Sequence, residues 1–350
     1  MDIYQESFGV TKNNEAVTSY TLKSDQLEVE IITYGGIIRK ILAPDRNGKK
    51  ENVTVGLATI RDYEEKPGTV GALVGRVAGR ISKGEYILGG KTYPLPLNHK
   101  DRNTLHGGPE GFSRKVWKGK EIREKDYVGL ELTLESPDGD QGFPGNVKAT
   151  VRYLLKGTEL AVEYHGESDR PVFLNLTNHA YFNLSGDCKK PIDRELLQLN
   201  AEYFAAVDGD TLPVETRATA GTPFDFRNFR EIGAVFSSGD PQAAIVGGGI
   251  DHGFVITKNP EGRVGALKDP DSGRLLEVMS DQNIVIVYTA NYLAGVGPTE
   301  TGKICEKHQA ICLETQNYTD IFRFAPDKIV LTDPEHPYSQ KTVFRFTVEK

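Results

Sequence analysis

The chain of 350 residues carries 42 Lys and Arg against 49 Asp and Glu, which gives a formal net charge of −7. Proteins that bind nucleic acid present clustered basic surfaces, so this balance argues against a polyanion as the main partner and favours a neutral small molecule. With 38% hydrophobic and 26% charged residues, 37 Gly and 18 Pro, the composition indicates a folded chain with many turns.

The three cysteines, Cys188, Cys305 and Cys312, are too few and too scattered for a disulfide framework or a CxxC zinc site. We expect free, inert thiols of an intracellular protein. The N-terminal segment has neither the basic nor the apolar region of a signal peptide, and no apolar run reaches the 18 residues of a membrane span. The sequence therefore predicts a cytoplasmic protein without a membrane partner.

Short segments in which apolar and polar residues alternate recur along the whole chain, separated by turn residues. They cover 27–32 and 37–42, 86–88 and 91–93, 151–155 and 160–165, 274–279, 284–290, and 342–348. The Gly89-Gly90 pair is a two-residue hairpin signal, and a short helix is predicted only near 242–246. Dense strands with few helices indicate an all-β chain, either a sandwich or a barrel. Because no linker divides it, we expect one large antiparallel β-sandwich domain over residues 1–350.

Several common catalytic motifs are missing from the sequence. It contains no GxxxxGK[ST], no GxGxxG in a βαβ context, no GxSxG and no HExxH. What remains is a set of His and carboxylate residues in unusual settings.

Two of these residues lie in segments that suit a ligand site. In the segment NTLHGG, His106 precedes two glycines, where the backbone can approach a ligand closely; an exposed His in a turn is the alternative. In VFLNLTNHAYFNL (172–184), period-two alternation predicts a core face and a second face that carries His179 and Tyr181 among Asn and Thr residues. That second face is typical of a groove floor, although a solvated sheet face would alternate in the same way.

Three further segments carry charged groups among small or apolar residues. Glu314 in AICLETQ is either a paired structural carboxylate or a base with a shifted pKa. The loop GGGIDHGF delivers Asp251 and His252, and GRVAGR contains Arg76 and Arg80. An Arg there suits vicinal hydroxyls or a carboxylate, and a structural ion pair is equally common.

Taken in order, seven segments resemble the aldose 1-epimerase (galactose mutarotase) family: GGIIRKILAPDRNG, GRVAGRISKG, NTLHGG, SPDGDQGFPG, LTNHAYFNL, GIDHGF and CLETQN. The resemblance runs over nearly the whole chain. It implies a galactose mutarotase-like supersandwich that binds a free sugar in an open groove and interconverts its α and β anomers without a cofactor or a metal.

The resemblance also implies residue roles. Glu314 would take the proton of the C1 hydroxyl, while His179 would give a proton to the ring oxygen. His106 would form a hydrogen bond near that oxygen, and Arg80 and Asp251 would hold sugar hydroxyls.

Three other positions are expected to line the groove, and two of them depart from the family pattern. Tyr181 follows His179 on the same face. Gly79 stands where the family commonly has Asn, and Ile286 stands where many members have Gln. The reaction type is therefore predicted more firmly than the preferred sugar.

Three alternatives stay open. A non-catalytic sugar-binding module would keep the groove and lose the acid or the base. A metal-dependent oxygenase would want a His-x-His or His-x-Asp pair at the candidate histidines, but Tyr181 follows His179 at that spacing and Gly108 follows His106. An epimerase for a modified sugar, such as a sugar phosphate, would want an added basic cluster. We expect a monomer or a weak homodimer.

Overall fold

The fold is described from a computed structural model, which covers residues 1–66 and 68–349. The first strands in chain order are β1 (Asp2–Val10), β2 (Ala16–Lys23), β3 (Glu28–Ile32), β4 (Ile37–Pro44), β5 (Lys50–Asn52), β6 (Leu73–Val74), β7 (Arg80–Ser82), β8 (Glu85–Leu88), β9 (Lys91–Pro94), β10 (Asn103–Leu105), β11 (Lys118–Arg123), β12 (Val128–Ser136) and β13 (Val147–Lys156). They continue with β14 (Glu159–Ser168), β15 (Thr177–Asn178), β16 (Tyr181–Phe182), β17 (Leu196–Leu199), β18 (Ala201–Val207), β19 (Pro213–Ala218), β20 (Arg230–Glu231), β21 (Asp251–Ile256), β22 (Arg263–Lys268), β23 (Arg274–Ser280), β24 (Ile284–Tyr288), β25 (Ile311–Gln316) and β26 (Tyr338–Val348).

Two large antiparallel sheets dominate the architecture. One has nine strands in the order β11-β12-β13-β14-β26-β23-β22-β17-β20, and the other has six in the order β16-β25-β24-β21-β18-β19. Strands β1 to β5 form a third sheet, and three two-stranded ribbons join β10 to β7, β15 to β6 and β8 to β9. The predicted all-β fold and the two-residue hairpin at Gly89-Gly90 are confirmed.

The core lies between the nine-stranded and six-stranded sheets, because alternate residues of each strand point inward. In β13 the buried positions are Val147, Ala149, Val151, Tyr153 and Leu155, while their neighbours are more exposed. Phe182 of the six-stranded sheet meets Phe344 of the nine-stranded sheet with ring centroids 5.3 Å apart. The two sheets therefore pack face to face as a sandwich.

Helices are short and connect strands. They are α1 (Ile60–Glu65), α2 (Gly233–Phe236), α3 (Pro241–Ile245) and α4 (Ile321–Phe324), and α3 matches the predicted helix near 242–246. The sequence pattern missed the other three, which are too short to show a 3.6-residue period. Within the described ranges, none of these helices has the length and apolar character needed to cross a membrane.

The alternation over 172–184 predicts one continuous strand, and this prediction is wrong. The segment breaks into β15, which pairs with β6, and β16, which pairs with β25. Asn175, Thr177 and Asn183 are buried, and their side chains bond main-chain groups of other segments. Of the predicted polar face, only His179 and Tyr181 line the cleft described below.

Candidate active site

A cleft of about 720 Å³ opens on the outer face of the six-stranded sheet. Its size is typical of small-molecule sites, which measure roughly 300–1,000 Å³. All eight residues that the resemblance implies for the site line it: Gly79, Arg80, His106, His179, Tyr181, Asp251, Ile286 and Glu314. They come from positions up to 235 residues apart, and strand pairing brings them together.

The sheet register places two rows of side chains across the cleft floor. In one row Glu314 lies opposite Ile286, which lies opposite Gly253. In the next row, two residues along each strand, Tyr181 lies beside Cys312, then Tyr288, then Asp251. The intervening residues, Leu313 and Val287 among them, point into the core. One face of this sheet thus supports the fold while the other carries polar groups.

His179 and Glu314 lie in direct contact on the floor of the cleft. His179 Nε2 lies 3.4 Å from Glu314 Oε1, and both side chains are almost fully buried. The main chain holds His179 in place, because its N–H donates to Ala72 O and its carbonyl accepts from Gly71 N. Tyr181 stacks on the imidazole, with ring centroids 5.0 Å apart and 17° between the planes.

Burial favours the neutral form of both groups. It lowers the pKa of His179 to about 4, and it raises the pKa of Glu314 well above its ordinary value. The nearby Asp251 carboxyl raises the pKa of Glu314 further, while Arg80 opposes that shift. One proton shared between the two side chains across the 3.4 Å contact therefore leaves the pair without net charge.

His106 stands edge-on to His179, with ring centroids 5.3 Å apart. The main-chain N–H of Gly79 donates to the ring Nδ1 of His106 at 3.2 Å, and the main-chain N–H of His106 donates to the carbonyl of Gly79 at 2.9 Å. Because Nδ1 accepts, Nε2 carries the proton in the neutral ring. Burial, His179 and Arg80 all lower the pKa of His106, so it stays neutral and can donate a hydrogen bond.

Arg80 and Asp251 form a second polar pair at the cleft. Arg80 Nη2 lies 3.4 Å from Asp251 Oδ2, and Arg80 Nε is buried without a hydrogen-bond partner in the part of the chain that the structure describes. A paired cation and anion add no net charge, and they leave donors and acceptors for neutral hydroxyl groups. The other residues of these two motifs are structural: Arg76 binds carbonyls of the 136–144 loop, and His252 contacts Gln242 away from the cleft.

Gly79 has a specific steric reason to lack a side chain. Its φ is +78°, and a Cβ added there would lie 1.9 Å from Thr319 Cγ2. The Thr319 methyl group thus occupies the space that a side chain at position 79 would need. Thr319 also lines the cleft, and sequence reasoning missed it together with Tyr288 and Gln316. Period two from Ile286 and from Glu314 is the signal that could have found the last two.

Three buried side chains at the floor of the cleft could hold a metal ion. His179, Cys312 and Glu314 each offer one ligand atom, and these atoms all lie within 4.8 Å of one another. The donor set suits Zn²⁺. However, burial raises the pKa of the Cys312 thiol, and Glu314 raises it further, which opposes the thiolate that a metal needs. The three cysteines are free and buried, as predicted.

Comparison with known proteins gives a consistent result. The family model for aldose 1-epimerase matches residues 18–345. Galactose mutarotase from Rattus norvegicus is 37% identical over 335 residues, which is 95% of both chains. Aldose 1-epimerase from Haemophilus influenzae is 35% identical over 304 residues, 86% of each chain. A crystal structure of galactose 1-epimerase from Lactobacillus acidophilus superimposes with a TM-score of 0.88 at 28% identity, covering 100% of this chain and 99% of the other.

The β-sandwich and these similarities define an isomerase of carbohydrate metabolism. The chain belongs to the aldose 1-epimerase family.

Proposed function

We propose that this cleft interconverts the α and β anomers of free aldoses of the glucose and galactose type, with Glu314 as the base and His179 as the acid. The observation that supports the proposal most strongly is the 3.4 Å contact between these two side chains on the floor of the cleft. The other charged groups there, Arg80 and Asp251, pair with each other and add no net charge. A hemiacetal needs one base and one acid to open, and positioned proton transfer supplies roughly 10²–10⁴-fold in rate.

The reaction then runs in three steps. Glu314 takes the proton of the C1 hydroxyl while His179 gives a proton to the ring oxygen, so the C1–O5 bond breaks as the C1 carbonyl forms. The open aldehyde rotates about C1–C2. On closure His179 takes the C5 hydroxyl proton and Glu314 returns a proton to O1. No hydride, electron or phosphoryl group moves, so the proposed chemistry has no need of a cofactor.

The His179–Glu314 pair carries one shared proton throughout the reaction. The position of this proton differs between ring opening and ring closure. Glu314 ionised with His179 protonated starts ring opening, and the neutral pair starts ring closure. The ring of Tyr181, stacked on His179, faces the imidazolium that opening requires. His106, held neutral with Nε2–H free, would donate to the ring oxygen, and the Arg80–Asp251 pair would bind hydroxyls on the far side of the sugar.

No observation favours the alternative of a phosphorylated sugar. Lys100 and Arg102, two basic residues near the cleft, both pair with Asp210, at 3.5 and 3.3 Å. A non-catalytic sugar-binding module would not need the buried His179–Glu314 pair.

Polarimetry tests the proposal. Freshly dissolved α-glucose and α-galactose should reach anomeric equilibrium faster with the purified protein than without it, with no nucleotide or metal added. The panel should include xylose and arabinose. If no aldose is accelerated, the proposed activity is wrong and the binding-module alternative is favoured.

A further inference from the structure

The floor of the cleft is apolar on one side of Glu314. The residue directly opposite Glu314 on β24 is Ile286, and the residue opposite Ile286 on β21 is Gly253, which has no side chain. Ile286 Cδ1 lies 3.2 Å from the place of a Cβ on Gly253, so the Ile side chain covers this part of the floor. All three residues line the cleft. On the β24 side, Glu314 thus has no hydrogen-bonding side chain beside it in this row.

Strand order fixes the direction in which a bound sugar would extend. In the six-stranded sheet β25, which carries Glu314, lies between β16 and β24. His179, two residues before β16 begins at Tyr181, is therefore on one side of Glu314, and Ile286 is on the other. Adjacent strands are about 4.8 Å apart.

The orientation of the sugar follows if the proposed function holds, on which this inference rests. With the C1 hydroxyl at Glu314 and the ring oxygen at His179, the remaining ring neighbour of C1 is C2, and it points away from His179. C2 and its substituent therefore lie over Ile286. Asp251, on β21, lies two strands from Glu314 and in the neighbouring row, opposite Tyr288, so it suits hydroxyls farther around the ring.

We infer that Ile286 determines specificity at C2: the cleft does not bind the 2-hydroxyl group, and it accepts 2-deoxyaldoses as readily as their parent sugars. An isoleucine side chain offers van der Waals contact and neither donor nor acceptor. A sugar without the 2-hydroxyl loses no hydrogen bond at this point, and its C2 methylene meets an apolar surface.

The test compares glucose with 2-deoxyglucose in the wild type and in Ile286→Gln. Each kcat/KM is divided by the uncatalysed rate of the same sugar, which removes differences in intrinsic reactivity. In the wild type the two corrected values should agree within about threefold. Gln can bond the 2-hydroxyl, and a neutral hydrogen bond is worth about 0.5–1.5 kcal/mol, so the variant should prefer glucose by roughly two- to tenfold more.

Two controls separate a contact at C2 from a general disturbance. Ile286→Leu keeps an apolar side chain and should leave the glucose to 2-deoxyglucose ratio at the wild-type value. The ratio of galactose to 6-deoxygalactose should not change in Ile286→Gln, because C6 lies away from this row. Ile286→Thr, which places a hydroxyl on a β-branched side chain, provides a second polar variant if the Gln protein does not fold.

Rejection of 2-deoxyglucose by tenfold or more in the wild type would overturn the inference, as would equal ratios in the Gln, Thr and Leu variants. A wild-type protein that accelerates no aldose at all would instead show that the proposed function is wrong. The two failures are therefore distinguishable.

Discussion

Replacing Glu314 by Gln should remove the base while keeping nearly the same shape and volume. Glu314 is 3% exposed, and its Oε1 lies 3.4 Å from His179 Nε2. No solvated carboxylate can therefore take its place in that position. Loss of a positioned proton acceptor should lower kcat by about 10²–10⁴-fold, with a smaller effect on KM, because the amide still fills the site.

The loss of kcat expected when both residues are replaced is also specific. His179→Asn should cost a similar factor, and the double variant should be little worse than either single variant, because residues that act as one unit have strongly non-additive effects. Simple multiplication of the two losses would instead indicate two independent contributions.

The assay is polarimetry with fresh α-glucose at several concentrations, so that kcat and KM are measured separately. Glu306→Gln is the matched control: Glu306 is exposed and lies outside the cleft lining, so this variant should behave as the wild type. Circular dichroism and urea unfolding check that each variant folds. If Glu314→Gln or His179→Asn keeps more than about a third of the wild-type kcat, the role assigned to that residue is wrong, because the expected loss is at least about 100-fold.

The remaining predictions concern pH, packing, steric fit and metal. Burial lowers the pKa of His179 to about 4 and raises that of Glu314, so kcat/KM should be level through neutral pH and fall below about pH 4, where the pair gains a second proton; a profile that already falls below pH 6.5 would contradict this. Phe182→Ala should lower the free energy of unfolding by about 3–5 kcal/mol in urea titrations, since Phe182 packs between the two large sheets. Gly79→Asn should destabilise the protein by about 1–3 kcal/mol through overpacking against Thr319, and Thr319→Gly should recover only part of that loss in the double variant, because the strain at a φ of +78° remains. Dialysis against a chelator should leave activity unchanged, whereas a stoichiometric transition metal held by the purified protein would contradict a metal-free reaction.

Period-two alternation and turn residues were sufficient to predict the fold class, because sandwich strands bury every second residue. In the 172–184 segment the same pattern predicts a groove floor that includes Asn175, Thr177 and Asn183, and for these three residues the prediction is wrong. These side chains instead bond buried main-chain groups. Alternation shows that two faces differ, but it does not show which other segments cover the second face.

Many residues of the cleft could be predicted from the sequence and its family resemblance, but Tyr288, Gln316 and Thr319 were missed and the arrangement could not be predicted. The strand order β16-β25-β24-β21 brings together segments separated by more than 100 residues. Only that order shows that Ile286 lies beside Glu314. Only the packing of the loops shows that Thr319 fills the space next to Gly79. The organisation of residues 1–350 as one domain, the cytoplasmic location and the monomeric or weakly dimeric state stay predictions.

The most direct test of the account is proton NMR of an aldose at anomeric equilibrium in D₂O. Ring opening and closure move only protons bound to oxygen. Saturation of the α-anomer C1–H signal of glucose or galactose should therefore transfer to the β anomer in the presence of the wild-type protein, with no deuterium incorporated at C1 or C2. Transfer should disappear in Glu314→Gln. Deuterium at C2, or transfer that persists in Glu314→Gln, would contradict the proposed acid–base opening of the ring.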